Sequence, residues 1–146
     1  MQRGLTFIEI LTGVVAVVVI VAVALPMWRI YQVRAQRAAA IEALLTVQVA
    51  QDRHFATHAR YVDDAGLSVA PPAGLGLASQ TRDGIHEIEV RRSADQLGYV
   101  AVARTTSSGD AVEDPRCAEL QLDQHGRRSS RDRAGVDTTA DCWQQN

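Results

Sequence analysis

The sequence predicts an α+β fold, in which one long N-terminal helix packs on a small antiparallel sheet of three or four strands. The first observation is a charge-free apolar run over residues 10–28, which leads directly into a segment of helix-forming residues. The second is a segment rich in glycine, proline and aspartate, residues 59–82, where the helical pattern ends. The third is a set of short segments beyond it, in which apolar and polar residues alternate as they do in strands.

The helix is predicted from about Leu5 to about His58 and has two halves. Residues 5–25 are almost wholly valine, isoleucine, leucine and alanine, and about 20 such residues cross a bilayer core about 30 Å thick. Residues 34–55, past Pro26, are rich in strong helix formers. Apolar residues recur there at three-to-four spacing, at Ile41, Leu44, Leu45 and Val49. We expect the first half to lie in lipid or in a filament core and the second half to cover the sheet.

One carboxylate, Glu9, stands at the head of the apolar run and has to be explained. A charged side chain inside hydrocarbon costs about 3 kcal/mol, so Glu9 needs a partner or a function. Arg3 precedes the run, and Arg29, Arg34 and Arg37 follow it, which by count alone would keep the C-terminal part in the cytoplasm. A large domain can be translocated despite nearby charges, and the two cysteines favour an oxidising compartment.

The sheet is predicted from four segments of the C-terminal half. The strand candidates are residues 85–91, 98–105, 118–123 and 127–130. The third is the clearest, because Leu120 and Leu122 alternate with polar residues. Residues 124–126 form a turn signal, so the last segment can return as an arginine-rich edge strand of an antiparallel meander. Residues 59–82 are expected to form a long surface loop between helix and sheet.

Three interpretations of the N-terminus remain open from the residues. Ala22-Val23-Ala24 matches the small-x-small cleavage pattern of a secretory signal, although Glu9 and the length of the apolar run are atypical of one. A plain single-pass anchor is the second interpretation, and it leaves Glu9 unexplained. The third rests on the stretch Arg3-Gly4-Leu5-Thr6-Phe7-Ile8-Glu9. This stretch resembles the class III signal of the type IV pilins and the related pseudopilins.

The resemblance implies processing at the Gly4–Leu5 bond. A prepilin peptidase would remove residues 1–4 as a leader on the cytoplasmic side and methylate the new amine of Leu5. Glu9 would then lie one helical turn from that amine, on the same face, where the two charges can pair. The resemblance further implies that in a filament Glu9 meets the Leu5 amine of the next subunit, which sets the axial register.

The resemblance extends to Pro26, since many pilins carry a helix-kinking proline at that distance from the mature N-terminus. Two residues depart from the family pattern: Leu5 replaces the commoner phenylalanine, and Val18 stands where many relatives have a glycine, for which Gly13 can substitute. The family implies a leader, a transmembrane or filament-core half of the helix, and a periplasmic or extracellular headpiece, at residues 1–4, 5–28 and 29–146.

Two cysteines, Cys117 and Cys142, enclose a loop of about 25 residues, and closing it contributes about 3 kcal/mol through the unfolded state. An exported pilin meets an oxidising periplasm, so we expect a disulfide, with two buried free thiols as the alternative. Trp143 and the turn at residues 123–126 make this part similar to the disulfide-bounded region of minor pilins of the PilE-like kind.

The residues offer no arrangement for catalysis or for a metal. No nucleophile–base pair or phosphate-binding loop is evident. His54 and His58 lie four apart beside Asp52, which gives too few ligands for a metal site. An acidic turn lacks the ordered ligand pattern of a calcium loop; its members are Asp110, Glu113 and Asp114. We expect no enzyme, no cofactor and no metal.

The net charge of −2, from 15 arginines, no lysine and 17 acids, gives no large electrostatic bias. Four arginines suggest DNA, since some minor pilins capture DNA and phosphate contacts need clustered positive charge; they are Arg127, Arg128, Arg131 and Arg133. The same cysteine-bounded segment has five acids, Glu119, Asp123, Asp132, Asp137 and Asp141. Because five acids oppose four arginines, DNA is kept only as a less favoured partner.

We therefore expect a structural, minor subunit of a type IV pilus, held in the inner membrane with a periplasmic headpiece and then assembled into, or priming, an extracellular pilus. Its expected partners are other pilin subunits, the prepilin peptidase, the inner-membrane assembly platform and, before assembly, membrane lipid. Twitching motility, adhesion or DNA uptake would be the outcome. The alternatives are a type II secretion pseudopilin, a DNA-receptor minor pilin for natural transformation and a plain membrane-tethered domain.

Overall fold

A four-stranded antiparallel meander lies against the second half of one long helix. The structure, a computed structural model, describes residues 7–106 and 114–144. The elements are α1 (Phe7–His58), α2 (Asp64–Leu67), β1 (His86–Arg92), β2 (Tyr99–Thr105), a short 3-10 turn (Pro115–Cys117), β3 (Glu119–Asp123), β4 (Arg128–Arg131) and α3 (Thr139–Trp143). The strands lie in the order β1-β2-β3-β4, and each pair is antiparallel. The predicted α+β fold is confirmed.

Each strand begins one residue later than predicted, and local hydrogen bonds explain why. The backbone amides of Ile85, Gly98 and Arg127 are taken up by turn side chains: they donate to Asp83 Oδ1 at 3.1 Å, Ser93 Oγ at 2.8 Å and Asp123 Oδ1 at 2.8 Å. Ala118 instead keeps the helical backbone of the 3-10 turn that it ends. An amide bonded in a turn is not available to the ladder, so the strand starts at the next residue.

The segment between α1 and β1 is more ordered than the predicted surface loop, because it holds α2 and covers the outer edge of β1. Asp64 Oδ1 accepts a hydrogen bond from the backbone amide of Val90 at 3.1 Å. The carbonyl of Ser79 accepts one from the amide of Ile88 at 2.8 Å. Unpaired amides at a sheet edge invite pairing with another chain, and these two are already satisfied within the fold.

The core lies between the second half of α1 and the inner face of the sheet. It is formed by Ala40, Ile41, Leu44 and Val47 of the helix and by Ile88, Val90, Tyr99, Ala101, Ala103, Leu120 and Leu122 of the sheet. Two of the four apolar helix positions predicted for this contact are therefore confirmed. The prediction is wrong for Leu45 and Val49, which are 38% and 60% exposed. The buried stripe continues instead through the polar residues Gln51 and His54.

Gln51 is fully buried, and its side-chain amide is satisfied by the backbone just past the end of α1. Its Nε2 donates to the carbonyl of Val62 at 2.7 Å, and its Oε1 accepts from the amide of Val62 at 2.9 Å. A buried polar group left without a partner costs about 1–3 kcal/mol. The two bonds therefore fix the path of the chain as it turns back over the helix.

Arg37 ties α1 to two distant parts of the C-terminal third of the chain. Its Nη2 donates to Asp114 Oδ2 at 2.7 Å, and its Nη1 donates to the carbonyl of Asp141 at 3.2 Å. Both side chains of the Arg37–Asp114 pair are largely shielded from solvent. Removing one partner of a shielded ion pair lowers the stability of the fold more than removing one partner of an exposed pair does.

His86 lines a small, partly enclosed space of about 10 Å³ together with Arg37, Thr105 and Asp114. The residue is buried, with 5% of its surface exposed. Burial lowers the pKa of the His86 imidazole below its ordinary value of 6.5, and the nearby carboxylates of Asp83 and Asp114 offset this only in part. The folded protein therefore favours the neutral form of His86.

We predict that the protein loses stability as the pH falls below about 6.5 and that His86 contributes to the loss. The unfolded chain takes up the proton at the ordinary histidine pKa, whereas the folded chain resists it, so added protons favour unfolding. The measurement is the melting temperature of the full chain in detergent, from about pH 7.5 down to about pH 5.

His86→Gln should flatten this pH dependence. His125→Gln, at an exposed histidine in the turn after β3, is the matched control and should leave the curve as it is. A curve for His86→Gln as steep as that of the wild type would contradict the prediction.

Candidate functional site

The first candidate surface is the stem, residues 7–28 of α1. Its large apolar side chains outside residues 23–26 are between 46% and 82% exposed. The stem contains an 18-residue window that is long and apolar enough to cross a membrane and of which nothing is buried. An exposed apolar surface of this size marks a membrane or protein contact, because the folded headpiece leaves it uncovered.

Glu9 is the one charged residue in the sequence of the stem. It lies in the first turn of α1 as described and is exposed. The predicted processing residues, Gly4 and Leu5, lie outside the described residues, so the pairing of Glu9 with the Leu5 amine stays a prediction. Its sequence basis is the spacing of four residues, which places two groups on one face of a helix.

α1 is one continuous helix across Pro26. Proline removes one helical hydrogen bond, and the kink expected at Pro26 stays a prediction. Gly13 has open space around it, since an added Cβ would meet no described atom within 4 Å. Packing inside the described part of the subunit therefore does not require a glycine there.

The second candidate surface is the disulfide-bounded region, residues 117–142. The Cys117–Cys142 bond is present and buried, which confirms the predicted disulfide. It joins the 3-10 turn before β3 to α3, and α3 packs on β4. The indole Nε1 of Trp143 donates to the carbonyl of Ser129 at 2.9 Å, so the C-terminal end of the described chain is held against the edge strand.

The four arginines of this region are exposed and lie at the two ends of β4. Arg127 and Arg128 are at its start, whereas Arg131 and Arg133 are at and beyond its end. The guanidinium carbon of Arg128 lies 5.4 Å from the ring centre of Trp143, which is cation–π geometry. The first three of these arginines form no ion pair with any residue that the structure describes.

The five acids of the same region are engaged within the fold. Three accept backbone N–H bonds at 2.8–2.9 Å and two pair with arginines outside the region: the first are Asp123, Asp132 and Asp137, and the second are Glu119 and Asp141. Side-chain and backbone hydrogen bonds with Thr139 hold the pKa of Asp137 below its ordinary value. The sequence count of five acids against four arginines thus left out Arg104 and Arg116, which offset two of the acids.

On the outer face of the sheet, charges alternate instead of forming a basic stripe. One row of directly opposite residues crosses all four strands, in the order Glu87, Arg104, Glu119 and Arg131. Arg104 bonds Glu89 at 2.8 Å and Glu119 at 2.7 Å. On the same face of the sheet, the residue opposite Glu89 is Val102, which is apolar and fully buried. Arg104 therefore offsets Glu89 and Glu119, whereas Arg131, at the end of the row, belongs to the basic surface at the ends of β4.

The histidines and acids that were considered as metal ligands, and set aside, are not assembled into a metal site in the described part of the chain. His54 and His58 stack with 4.1 Å between ring centroids, and Nδ1 of His54 lies 3.1 Å from the carbonyl of Arg60. Asp110 and Glu113 lie outside the described residues, and Asp114 is held by Arg37 as above. Among the residues that the structure describes, no three histidine, cysteine or carboxylate side chains are grouped for a metal.

One feature was missed from the sequence, an aromatic pair just past the apolar run. Trp28 and Tyr31 are 59% and 66% exposed, and their ring centroids lie 6.2 Å apart. Arg29 and Arg34, also exposed, flank them. Aromatic and basic residues at the end of an apolar span are typical of a membrane–water interface, and that pattern was visible in the sequence.

Comparison with known proteins gives a consistent result. The family model described as "Type IV minor pilin ComP, DNA uptake sequence receptor" matches residues 26–121. The chain is 26% identical over 150 residues to the type IV major pilin protein PilA of Myxococcus xanthus (strain DK1622), covering 97% of this chain and 68% of that protein. A high-resolution structure of a type IV pilin from Shewanella oneidensis shares the fold, with a TM-score of 0.50 and 24% identity, over 76% of this chain and 97% of that one.

Proposed function

This chain belongs to the family of the type IV minor pilin ComP, and we propose that it serves as a structural subunit of a type IV pilus, either within the filament or in priming it. The observation that carries the proposal is the exposed apolar stem that continues into a folded headpiece. Such a surface needs lipid before assembly and the stems of other subunits after it. The role is structural, and we propose no catalytic activity.

The proposed processing divides the chain into a leader of residues 1–4, a stem that begins at Leu5 and ends at residue 28, and a headpiece of residues 29–146. The prepilin peptidase cleaves the Gly4–Leu5 bond and methylates the amine of Leu5. Glu9 then pairs with the Leu5 amine of a neighbouring subunit. Its exposure on the stem supports this, because no described headpiece residue competes for the carboxylate.

The apolar helix and the pilin family fit a membrane-anchored protein whose partners are other pilin subunits. We propose that the headpiece lies on the periplasmic side of the inner membrane, where the assembly platform collects it into an extracellular pilus. The Cys117–Cys142 disulfide supports an oxidising compartment. Motility, adhesion and DNA uptake would follow at the level of the filament. A type II secretion pseudopilin is the less favoured alternative, because the matching family is one of minor pilins.

A second function, direct DNA binding, is favoured by a specific pair of observations. The family description names a DNA uptake sequence receptor. In this chain, Arg127, Arg128 and Arg131 are exposed and form no ion pair with a described residue. The neighbouring acids accept backbone N–H bonds or pair with Arg104 and Arg116, and Arg131 lies near enough to Asp137 to lower the pKa of that carboxyl. We propose that residues 127–133 contact the phosphates of double-stranded DNA, which arginine binds through paired N–H donors.

Glu9→Ala should leave the chain in the membrane but exclude it from filaments. Removal of the carboxylate makes the stem more apolar and so does not hinder insertion, whereas a subunit without it lacks the charge that sets the register. The measurement compares the membrane fraction of cells with filaments sheared from their surface, by immunoblot. Glu42→Ala, at an exposed carboxylate on the headpiece half of the same helix, is the control and should assemble. Normal incorporation of Glu9→Ala would refute the register role.

Replacing Arg127 and Arg131 together by glutamine should weaken DNA binding and lower its salt dependence. Each lost phosphate contact reduces the slope of log K against log salt by about 0.9. The measurement is fluorescence anisotropy of labelled double-stranded DNA with the full chain in detergent, at several salt concentrations. The double variant Arg53→Gln with Arg60→Gln, at exposed positions near the far end of α1, is the control. Equal slopes for all three proteins would show that residues 127–133 do not contact phosphates.

A further inference from the structure

A cleft of about 720 Å³ opens between α1 and α3, directly above the stem. Tyr31, Arg34 and Ala38 line it on the helix, and Ala140 and Asp141 line it on the C-terminal side. We propose that this cleft binds the headgroup phosphate of an anionic phospholipid while the subunit is still in the membrane. The inference rests on the proposed function in one respect, that the stem spans the bilayer and the headpiece stands outside it.

The cleft lies at the height of the lipid headgroups. α1 rises about 1.5 Å per residue, so the backbone of Arg34 lies about 9 Å beyond that of Trp28 at the end of the stem. The polar layer on each side of a bilayer is about 5–8 Å thick. Side chains on a helix lean toward its N-terminus, which brings the guanidinium of Arg34 back toward that layer.

An aromatic stripe connects the stem to the cleft. Trp28, Tyr31 and Arg34 follow one another at intervals of three residues, and the two rings are 6.2 Å apart between centroids. Both rings are more than half exposed, and Tyr31 also lines the cleft. Tryptophan and tyrosine concentrate where hydrocarbon meets headgroups, so the stripe places the interface just below the cleft.

The charges of the cleft are suited to an anion. Arg37 is bonded to Asp114 and to the carbonyl of Asp141, and the carboxylate of Asp141 is paired with Arg116. Arg34 has no ion pair with any described residue. The guanidinium of Arg34 is therefore the group in the cleft whose charge the described chain does not offset.

The position of Arg34 strengthens this inference. Basic residues close to a membrane span are normally retained on the cytoplasmic side, and here Arg29, Arg34 and Arg37 follow the span on the translocated side. The hydrogen bonds that Arg37 forms within the headpiece explain why a basic residue is present at that position. Arg34 has no ion pair among the described residues, and a phosphate that accepts two N–H bonds is the ligand that an arginine fork fits best.

The test is native mass spectrometry of the full chain released from detergent micelles that contain equal amounts of phosphatidylglycerol and phosphatidylcholine. The wild type should retain phosphatidylglycerol in preference, because the choline cation of the other lipid offsets its phosphate. Arg34→Gln should retain about tenfold less phosphatidylglycerol, and Arg34→Lys should retain an intermediate amount. Arg53→Gln, at an exposed arginine on the same helix but far from the stem, should behave as the wild type does.

Equal retention of the two lipids by the wild type, or undiminished retention of phosphatidylglycerol by Arg34→Gln, would overturn the proposal. Displacement of the lipid by millimolar inorganic phosphate would also overturn it, since the cleft would then be a site for free anions. The experiment uses unassembled protein, so it is independent of filament formation. A chain that passes it but fails to enter filaments would refute the proposed function and leave the lipid site standing.

Discussion

One helix has to serve two environments, and the rest of the structure follows from that constraint. α1 has 52 residues, which is about 78 Å at 1.5 Å per residue. The headpiece covers only its second half, and the described side chains of the stem are left exposed. The stem therefore needs lipid or other subunits, and the headpiece has to hold a long helix by one end.

That hold depends on polar contacts as much as on apolar packing. The helix offers small or medium apolar residues to the sheet, such as Ala40 and Val47, and polar bonds fix their register. Gln51 binds the backbone that leaves α1, and Arg37 binds both Asp114 and the residue before Cys142. Removing one of these partners leaves a shielded polar group unpaired. The bonds of Gln51 therefore fix the helix against the segment that follows it, and those of Arg37 fix it against the C-terminal third of the chain.

The sequence predicts the features that depend on periodicity, because a repeat of 3.6 or 2.0 residues is visible without knowledge of neighbours. The long helix and the alternation in β3 belong to this class, whereas the edge position of β4 was predicted from the turn signal at residues 124–126 and from the arginines that follow it. The prediction that Leu45 and Val49 face the sheet was wrong, because apolar spacing does not show which of two adjacent stripes of the helix is the buried one. The burial of Gln51 depends on a backbone partner at Val62, which no pattern in the helix reveals.

The candidate surfaces show the same limit. The exposed apolar stem could be predicted from composition. The charge balance near the disulfide could not, because Arg104 and Arg116, which pair with two of the acids there, lie outside the segment whose charges were counted. The mature N-terminus is the most direct test of a pilin subunit, measured by mass spectrometry of protein from cells with an intact export pathway. Processing at the Gly4–Leu5 bond predicts a chain that begins at N-methylated Leu5. A chain that begins at Leu25, or an uncut chain that begins at Met1, would contradict this processing.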